Sequence, residues 1–390
     1  MNTQTKLGEI ITQIRGVSYK PSDVRAAGDP DAVALLRANN IQEDGLNFDD
    51  LVWVDKQKVG AEQYLRLGDI LICSSSGSKG LVGKAAIVTS DLSCAFGAFC
   101  KVVRTKAEYA SYLGQFFRSP RYRKEISASA AGANINNIRN EHIDEMFISM
   151  LSANERAGCV AKLGQIDYLI QKTNNQSHQL DQLVKSRFVE MFGEPITNKM
   201  GWPCLSLVKT CKAILGGGTP SKSNPEYFTG GIPWVSPKDM KYAVISDSID
   251  HITEEAVAHS TTNRVPKNSV LMVIRSGILK HTLPVAINSV PVTINQDMKA
   301  FVPGNGVITE FLMYYFKAIE SDVLAGVRGV TADNIDFKAF QQRTIIVPPL
   351  ELQNRFAAFV AEVNKSKLAV KQSLEKLETL KKSLMQQYFG

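Results

Sequence analysis

Glu226, Asp239 and Lys241, with Pro225 and Met240 beside them, are the residues whose types come nearest to a catalytic set. Two carboxylates and a lysine could hold Mg²⁺ and orient water for phosphodiester hydrolysis. The pattern is short, its first acid is Glu, and the first half of the chain has no counterpart to it. An autonomous metal-dependent nuclease is therefore an alternative reading, not the leading one. Other catalytic signatures fail on their own chemistry. In GSKGLVGKA (77–85) the first glycine of a phosphate loop would fall on Ser78, and Ala85 stands where Ser or Thr should follow Lys84. GGGTPS (216–221) has Pro220 where the helix of a dinucleotide fingerprint would begin. There is no GxSxG, no CxxC among Cys73, Cys94, Cys100, Cys159, Cys204 and Cys211, and no HxxxH or HExxH among the five histidines. Buried free thiols and no metal centre are expected.

What remains is binding chemistry. QFFRSPRYRK (115–124) sets Arg118, Arg121, Arg123 and Lys124 among Phe and Tyr, as phosphate neutralisation with aromatic packing requires; a solvated helix face is the competing reading. The net charge is +7, spread thinly, and residues 199–348 carry only +3 of it. Any nucleic-acid contact must come from local clusters on nearly neutral modules, with specificity from polar side chains that reach base edges.

The elements that position these residues come from a duplication. LDQLVKSRFVEMFG ends at Gly193 and LETLKKSLMQQYFG at Gly390, an offset of 197 residues that holds without a gap back to Gly132 and Gly329. Upstream the offset drifts: LRLGDILICSSSGSKG (65–80) lies over VPKNSVLMVIRSGILK (265–280), and SYLGQFF (111–117) over EFLMYYF (310–316). Each tail of the repeat carries a 3-4 apolar spacing. In the first it runs Leu163, Ile166, Ile170, Thr173, Ser177, Leu180, Val184; in the second Val360, Val363, Lys367, Val370, Leu374, Leu377, Lys381, Leu384. No proline interrupts residues 153–193 or 350–390, which predicts two continuous helices of about 40 residues with heptad seams. The polar interruptions suit a pairing in which register matters. Two surface helices packed separately on their own domains are the alternative. β-rich runs such as GDILICS, KAAIVTS, SVLMVIR and RTIIVPP, bounded by Gly, Pro, Asn and Ser, predict an α+β module in each half. The plan is residues 1–150 and 199–348 as globular halves, each followed by a helix, 151–198 and 349–390. No apolar run approaches the roughly 18 residues of a membrane span, and the N-terminus lacks a leader pattern, so a cytoplasmic protein is expected.

Repeat, helices and several strings together resemble the specificity subunit of type I restriction-modification systems. GGGTPSKSNPEYFTGGIPWVSPKDM (216–240) is similar to the opening of that family's target recognition domain, and VPPLELQNRF (347–356) to its junction into a conserved helix. LRANNIQEDGL (36–46), LGDILICSSSG (67–77), GANINNI (132–138) and GVTADNI (329–335) support it, while SMLSANERAGCV stands where the first junction should have Pro-Pro-Leu. The resemblance implies a non-catalytic subunit with no cofactor of its own. Two target recognition domains, joined by two long antiparallel coiled-coil helices in an internal pseudo-twofold, would read a bipartite, asymmetric target on double-stranded DNA. Two methyltransferase subunits carrying S-adenosylmethionine would methylate adenine N6, and restriction subunits would bring ATP and Mg²⁺. The DNA-facing residues expected are Arg37, Asn39, Asn40, Ser75, Ser76, Lys79, Arg118 and Arg121 in the first half. In the second they are Ser221, Lys222, Ser236, Lys238, Arg275, Ser276 and Lys280. Arg275 leads, because an arginine can bind guanine O6 and N7 together. Asn137 and Asn334 are expected at turns near the partner surface. A coiled-coil scaffold that binds only proteins is a further alternative.

Overall fold

The computed structural model describes residues 3–78, 80–129, 136–304, 306–327 and 333–390. It divides into two compact units, Met1–Gln176 with Val370–Gly390, and Ser177–Ala369. The division falls inside both long helices, so each unit is a globular half together with part of each helix. The Gly132 and Gly329 of the ungapped repeat lie outside the described residues.

The expected helices are Ala153–Phe192 and Leu350–Phe389, 40 residues each. Ser152 and Glu155 start the first as a capping box. The Ser152 backbone N–H donates to Glu155 Oε2 at 2.9 Å, and Glu155 N–H reaches back to Ser152 Oγ at 3.4 Å. Gly193, with φ +76°, ends it in the left-handed conformation that glycine adopts without steric cost. At the second junction buried Gln353 donates Nε2–H to the Pro348 carbonyl at 2.7 Å. Arg156, 197 residues earlier, makes the equivalent bond to Leu151 at 2.7 Å, so the divergent first junction keeps the same turn with a different donor.

Every residue of the two apolar seams is buried or half-buried, while most positions between them are exposed. Within the first unit Lys381 pairs with Asp167 at 2.6 Å, and Met385 and Phe389 join the cluster of Leu163 and Cys159. Within the second, Phe192 meets Phe356, Arg187 lies over Phe359, and Asp181 pairs with Lys367 at 2.7 Å. One residue number rises as the other falls, so the helix segments run antiparallel in both units.

The globular halves share one strand plan. In the first unit a four-stranded sheet has the order Ile11–Arg15, Cys100–Thr105, Ile70–Cys73, Ala85–Ile87. A three-stranded sheet has the order Val52–Asp55, Ala32–Leu36, Cys94–Phe96, its last pair parallel. The second unit repeats both with one strand more in each. Its five-stranded sheet runs Cys211–Gly216, Met298–Pro303, Val270–Val273, Val285–Asn288, Val244–Ile245. Its four-stranded sheet runs Asp250–Ile252, Ile232–Val235, Val292–Ile294, Arg264–Val265, with the middle pair parallel. Thr3–Lys6 pairs with Phe147–Met150 as Cys204–Ser206 pairs with Thr344–Ile346.

The central strand Ile70–Cys73 is buried on both faces, which is why it reads as a continuous apolar run. Ile70 and Ile72 pack with Tyr112, Leu113 and Phe116 of helix Ala107–Phe116, whereas Leu71 and Cys73 pack with Leu36 and Phe96 of the three-stranded sheet. Period-two alternation thus joins a helix layer to a second sheet, each buried large apolar side chain contributing about 1.5–3 kcal/mol. The long helices enter the same cores. Phe389 lies 5.2 Å from Tyr112 and 5.9 Å from Phe116, and Phe192, its repeat equivalent, lies 4.9 Å from Phe311 and 5.5 Å from Phe356. Their terminal carbonyls are taken by Arg121 Nη1 at 3.1 Å and Trp202 Nε1 at 2.9 Å.

Candidate nucleic-acid interface

In each unit a parallel strand pair ends at one edge, and the two turns that follow lie beside the loop after the central strand. In the first unit, Ala32–Leu36 runs into a 3-10 turn at Ala38–Asn40, and Cys94–Phe96 into Gly97–Phe99. Gly97 N–H donates to the Leu36 carbonyl at 2.9 Å; Asn295 N–H donates to Val235 at 2.9 Å in the second. Ser74 and Ser75 N–H both bond the Phe99 carbonyl, and Ile274 and Arg275 N–H both bond that of Asp297. Ser75 pairs with Asn137, and Arg275 forms a bridge to Asn334. The equivalence extends to a glycine. A Cβ on Gly16 would lie 2.1 Å from the Gly97 carbonyl oxygen, and one on Gly217 would lie 1.9 Å from that of Asn295. Only glycine permits these approaches, so VSYK after Gly16 is the counterpart of GTPS after Gly217.

The first-unit loops surround a cavity of ≈ 780 Å³ that holds Arg37, Asn39, Ser75 and Ser76, from loops far apart in sequence, with Tyr19 and Phe99. Arg37 is half-exposed and ion-paired to Asp50 at 2.7 Å. A second-unit cavity of ≈ 710 Å³ holds Arg275 with Gln296, Lys299 and Lys338. Arg275 Nε donates to Asp297 Oδ1 at 2.6 Å, Lys299 Nζ lies 5.0 Å over the Phe337 ring, and Thr219 Oγ1 bonds the Gln296 side chain. Ser276 caps a 3-10 turn at Gly277–Lys280, and exposed Lys280 lies 3.9 Å from Asp333. Ser221 and Lys222 are exposed on the loop after Gly217 and Gly218, with Ser221 Oγ 2.7 Å from Ser223 Oγ. Lys238 is exposed and paired to Asp250 at 2.6 Å. None of these three lines the second-unit cavity. Lys79 lies outside the described residues.

Four expected contacts are corrected by burial or by prior engagement. Asn40 is fully buried: its Oδ1 accepts from Arg37 N–H at 2.8 Å and its Nδ2 donates to Asn47 at 3.1 Å and to the Asp49 carbonyl at 2.7 Å. Ser236 is buried and donates Oγ–H to Asp239 Oδ2 at 2.8 Å. Both residues belong to equivalent capping boxes, Arg37 to Asn40 and Ser236 to Asp239, that fix the turn and leave Asn39 and Lys238 exposed on it. Arg118 reaches Asp167 at 2.8 Å and the Glu43 carbonyl at 2.8 Å. Arg121 binds Glu125 and the Phe147 and Phe389 carbonyls. Their guanidinium groups join the first globular half to its helix segments. The nuclease alternative loses its acid for the same reason, because Asp239 accepts from Ser236 and, through Oδ1, from Ile249 N–H at 2.9 Å. Among the described residues no three His, Cys, Asp or Glu side chains gather as metal ligands.

Tyr19, Phe99, Thr219, Gln296, Lys299 and Lys338 are residues that motif reading passed over. A gapped comparison placing Gly16 on Gly217 would have pointed to the first and third.

Each unit thus combines two sheets, segments of both long helices and a loop cluster with the same backbone bonds. Residues 210–380 match the type I restriction modification DNA specificity domain. The EcoR124I/EcoR124II specificity subunit of Escherichia coli is 43% identical over 143 residues, 36% of this chain and 35% of that one. The EcoKI specificity subunit of E. coli K12 is 35% identical over 192 residues, 49% of this chain and 41% of that one. The matches thus span about two fifths of those relatives' length. The fold is shared with the S subunit of a type I restriction-modification system from M. genitalium, at a TM-score of 0.54 and 14% identity over 100% of this chain and 96% of that one. A chain from a structure on complex assembly and conformational transition of the type I R-M system gives a TM-score of 0.59 at 17% identity, covering 99% and 97%. Residues 210–380, less than half of the chain, are thus similar to that DNA specificity domain.

Proposed function

We propose that the chain recognises double-stranded DNA with the loop cluster of each globular half and assembles modification subunits on it, without chemistry of its own. The observation that carries this is the duplicated cluster. The same turns, glycine contact and backbone bonds occur in both halves, while the side chains they present differ: Arg37, Asn39, Ser75 and Ser76 against Arg275, Gln296 and Lys299. One scaffold with two sets of readers suits a target of two unlike parts. Arg and Gln have the donor geometry for guanine and adenine edges, and Lys280, Lys222 and Lys238 the charge for phosphates.

The antiparallel seams support a coiled-coil spacer joining the two target recognition domains, in which Asp181 with Lys367 and Asp167 with Lys381 specify register. Leu183 and Leu380, separated by the repeat offset of 197 residues, are 48% and 49% exposed. An apolar residue exposed at the same place in both repeats supports docking of two like partners, the methyltransferase subunits. S-adenosylmethionine belongs to those partners, and ATP and Mg²⁺ to restriction subunits. No helix among the described residues is long and apolar enough to cross a membrane, and a cytoplasmic setting follows from the proposed substrate. A gel shift of the chain with its methyltransferase subunits tests the reading. Specific retention in excess random competitor that weakens steeply with salt is expected. Binding no tighter to any sequence than to random DNA contradicts it.

A further inference from the structure

The two clusters differ most where the first presents Phe99 and the second Asp297. Both residues hold the loop after the central strand through their carbonyls. That of Phe99 accepts from Ser74 N–H at 2.9 Å, Ser75 N–H at 3.1 Å and Ser74 Oγ at 3.0 Å. Phe99 nevertheless stands 71% exposed, more than any other large apolar residue among the described residues. In the second unit the same address carries a carboxylate that orients Arg275. In the first, Ser75 replaces the arginine and the ring replaces the acid. A polar reading device has given way to an apolar one on an equally rigid mount.

An exposed ring has little to gain from polar base edges. In the major groove the one apolar feature of any base pair is the thymine C5-methyl group. Tyr19 and Ala98 line the cavity beside Phe99, with Arg37 and Ser76 at the polar side. We propose that Phe99 is a specificity-determining residue that packs on a thymine methyl in one part of the target, an inference that rests on the DNA-recognition reading above.

The test uses the full chain purified with its methyltransferase subunit. A target is first selected from a random duplex library, and each thymine in it is then replaced singly by uracil, which lacks only the methyl group. Wild type should lose about fourfold in affinity at one position, the value of one buried methyl. Phe99→Ala should bind thymine and uracil there equally while keeping its other base preferences, and Phe99→Leu should restore the difference. Uracil tolerated at every position, or discrimination unchanged in Phe99→Ala, overturns the assignment. Equal binding of both bases with a DNA bend that Phe99→Ala abolishes would make the ring a wedge between base steps and also overturns it. A selection that enriches no sequence overturns the recognition reading itself, and the Phe99 assignment with it.

Discussion

Arg275 is bound twice by Asp297: its Nε–H donates to the Asp297 carboxylate at 2.6 Å and its backbone N–H to the Asp297 carbonyl at 3.2 Å. Asp297 is itself held, its N–H on Asn295 Oδ1 and its Oδ2 receiving Asn295 Nδ2, both at 3.1 Å. The Arg275 side chain keeps 48% of its surface exposed, so it is aimed but not consumed. Arg275→Ala should reduce discrimination at one G·C pair by about 1–3 kcal/mol. Asp297→Asn should lose part of that discrimination while binding to random DNA strengthens, since an acid is removed from the face. Competition binding against singly substituted duplexes measures both.

The two caps make opposite predictions from their exposed neighbours. Asn40→Ala and Asp239→Ala each remove side-chain acceptors from buried backbone N–H groups and should lower stability by about 1–3 kcal/mol. Asn39→Ala should stay within about 0.5 kcal/mol, as surface changes usually do, yet weaken DNA binding. Denaturant unfolding alongside a binding titration separates the two classes.

Asp167 serves Arg118 and Lys381 together, and all three side chains are at most 25% exposed. Removing it strands two partly buried cations, so Asp167→Ala should cost about 1–2 kcal/mol, more than an exposed pair is worth. Asp181 is 54% exposed and pairs with Lys367; Asp181→Ala should cost about 0–0.5 kcal/mol. Unfolding midpoints of the two variants, compared at low and high salt, check the ranking.

The thiols give a probe of native packing. Five of the six cysteines are buried and Cys204 is exposed. Burial pushes Cys94, Cys159 and Cys211 up to about 11 and raises Cys73 and Cys100 as well. Their thiolate forms are therefore scarce at pH 8. Alkylation of the native chain at that pH, followed by mass spectrometry, should modify one thiol and leave Cys204→Ser unmodified. Rapid labelling of several thiols would contradict the packing described.

The elements were legible because their signals are periodic. The seam from Leu163 to Val184 follows a 3-4 spacing that only a helix turns to one side, and Ile70–Cys73 is an apolar run too short for anything but a buried strand. The chemistry of single loop residues was not, because capping and base reading use the same polar types. Asn40 and Asn39 are neighbours of one kind, and only the turn decides that one is buried and the other exposed. Arg118 and Arg121 looked like phosphate ligands by composition, whereas their partners Asp167 and the Phe389 carbonyl lie 49 and 268 residues away. Phe99 carried no motif; its place became visible through the backbone bonds it shares with Asp297.

The central claim, that two equivalent loop clusters read two different DNA elements, is tested most directly by mapping methylated adenines in random-sequence DNA exposed to the chain with its methyltransferase subunits. A bipartite motif with unlike halves is predicted, with Arg275→Ala relaxing one half and Phe99→Ala the other. A single contiguous motif, a palindrome, or relaxation of the same half by both variants would contradict it.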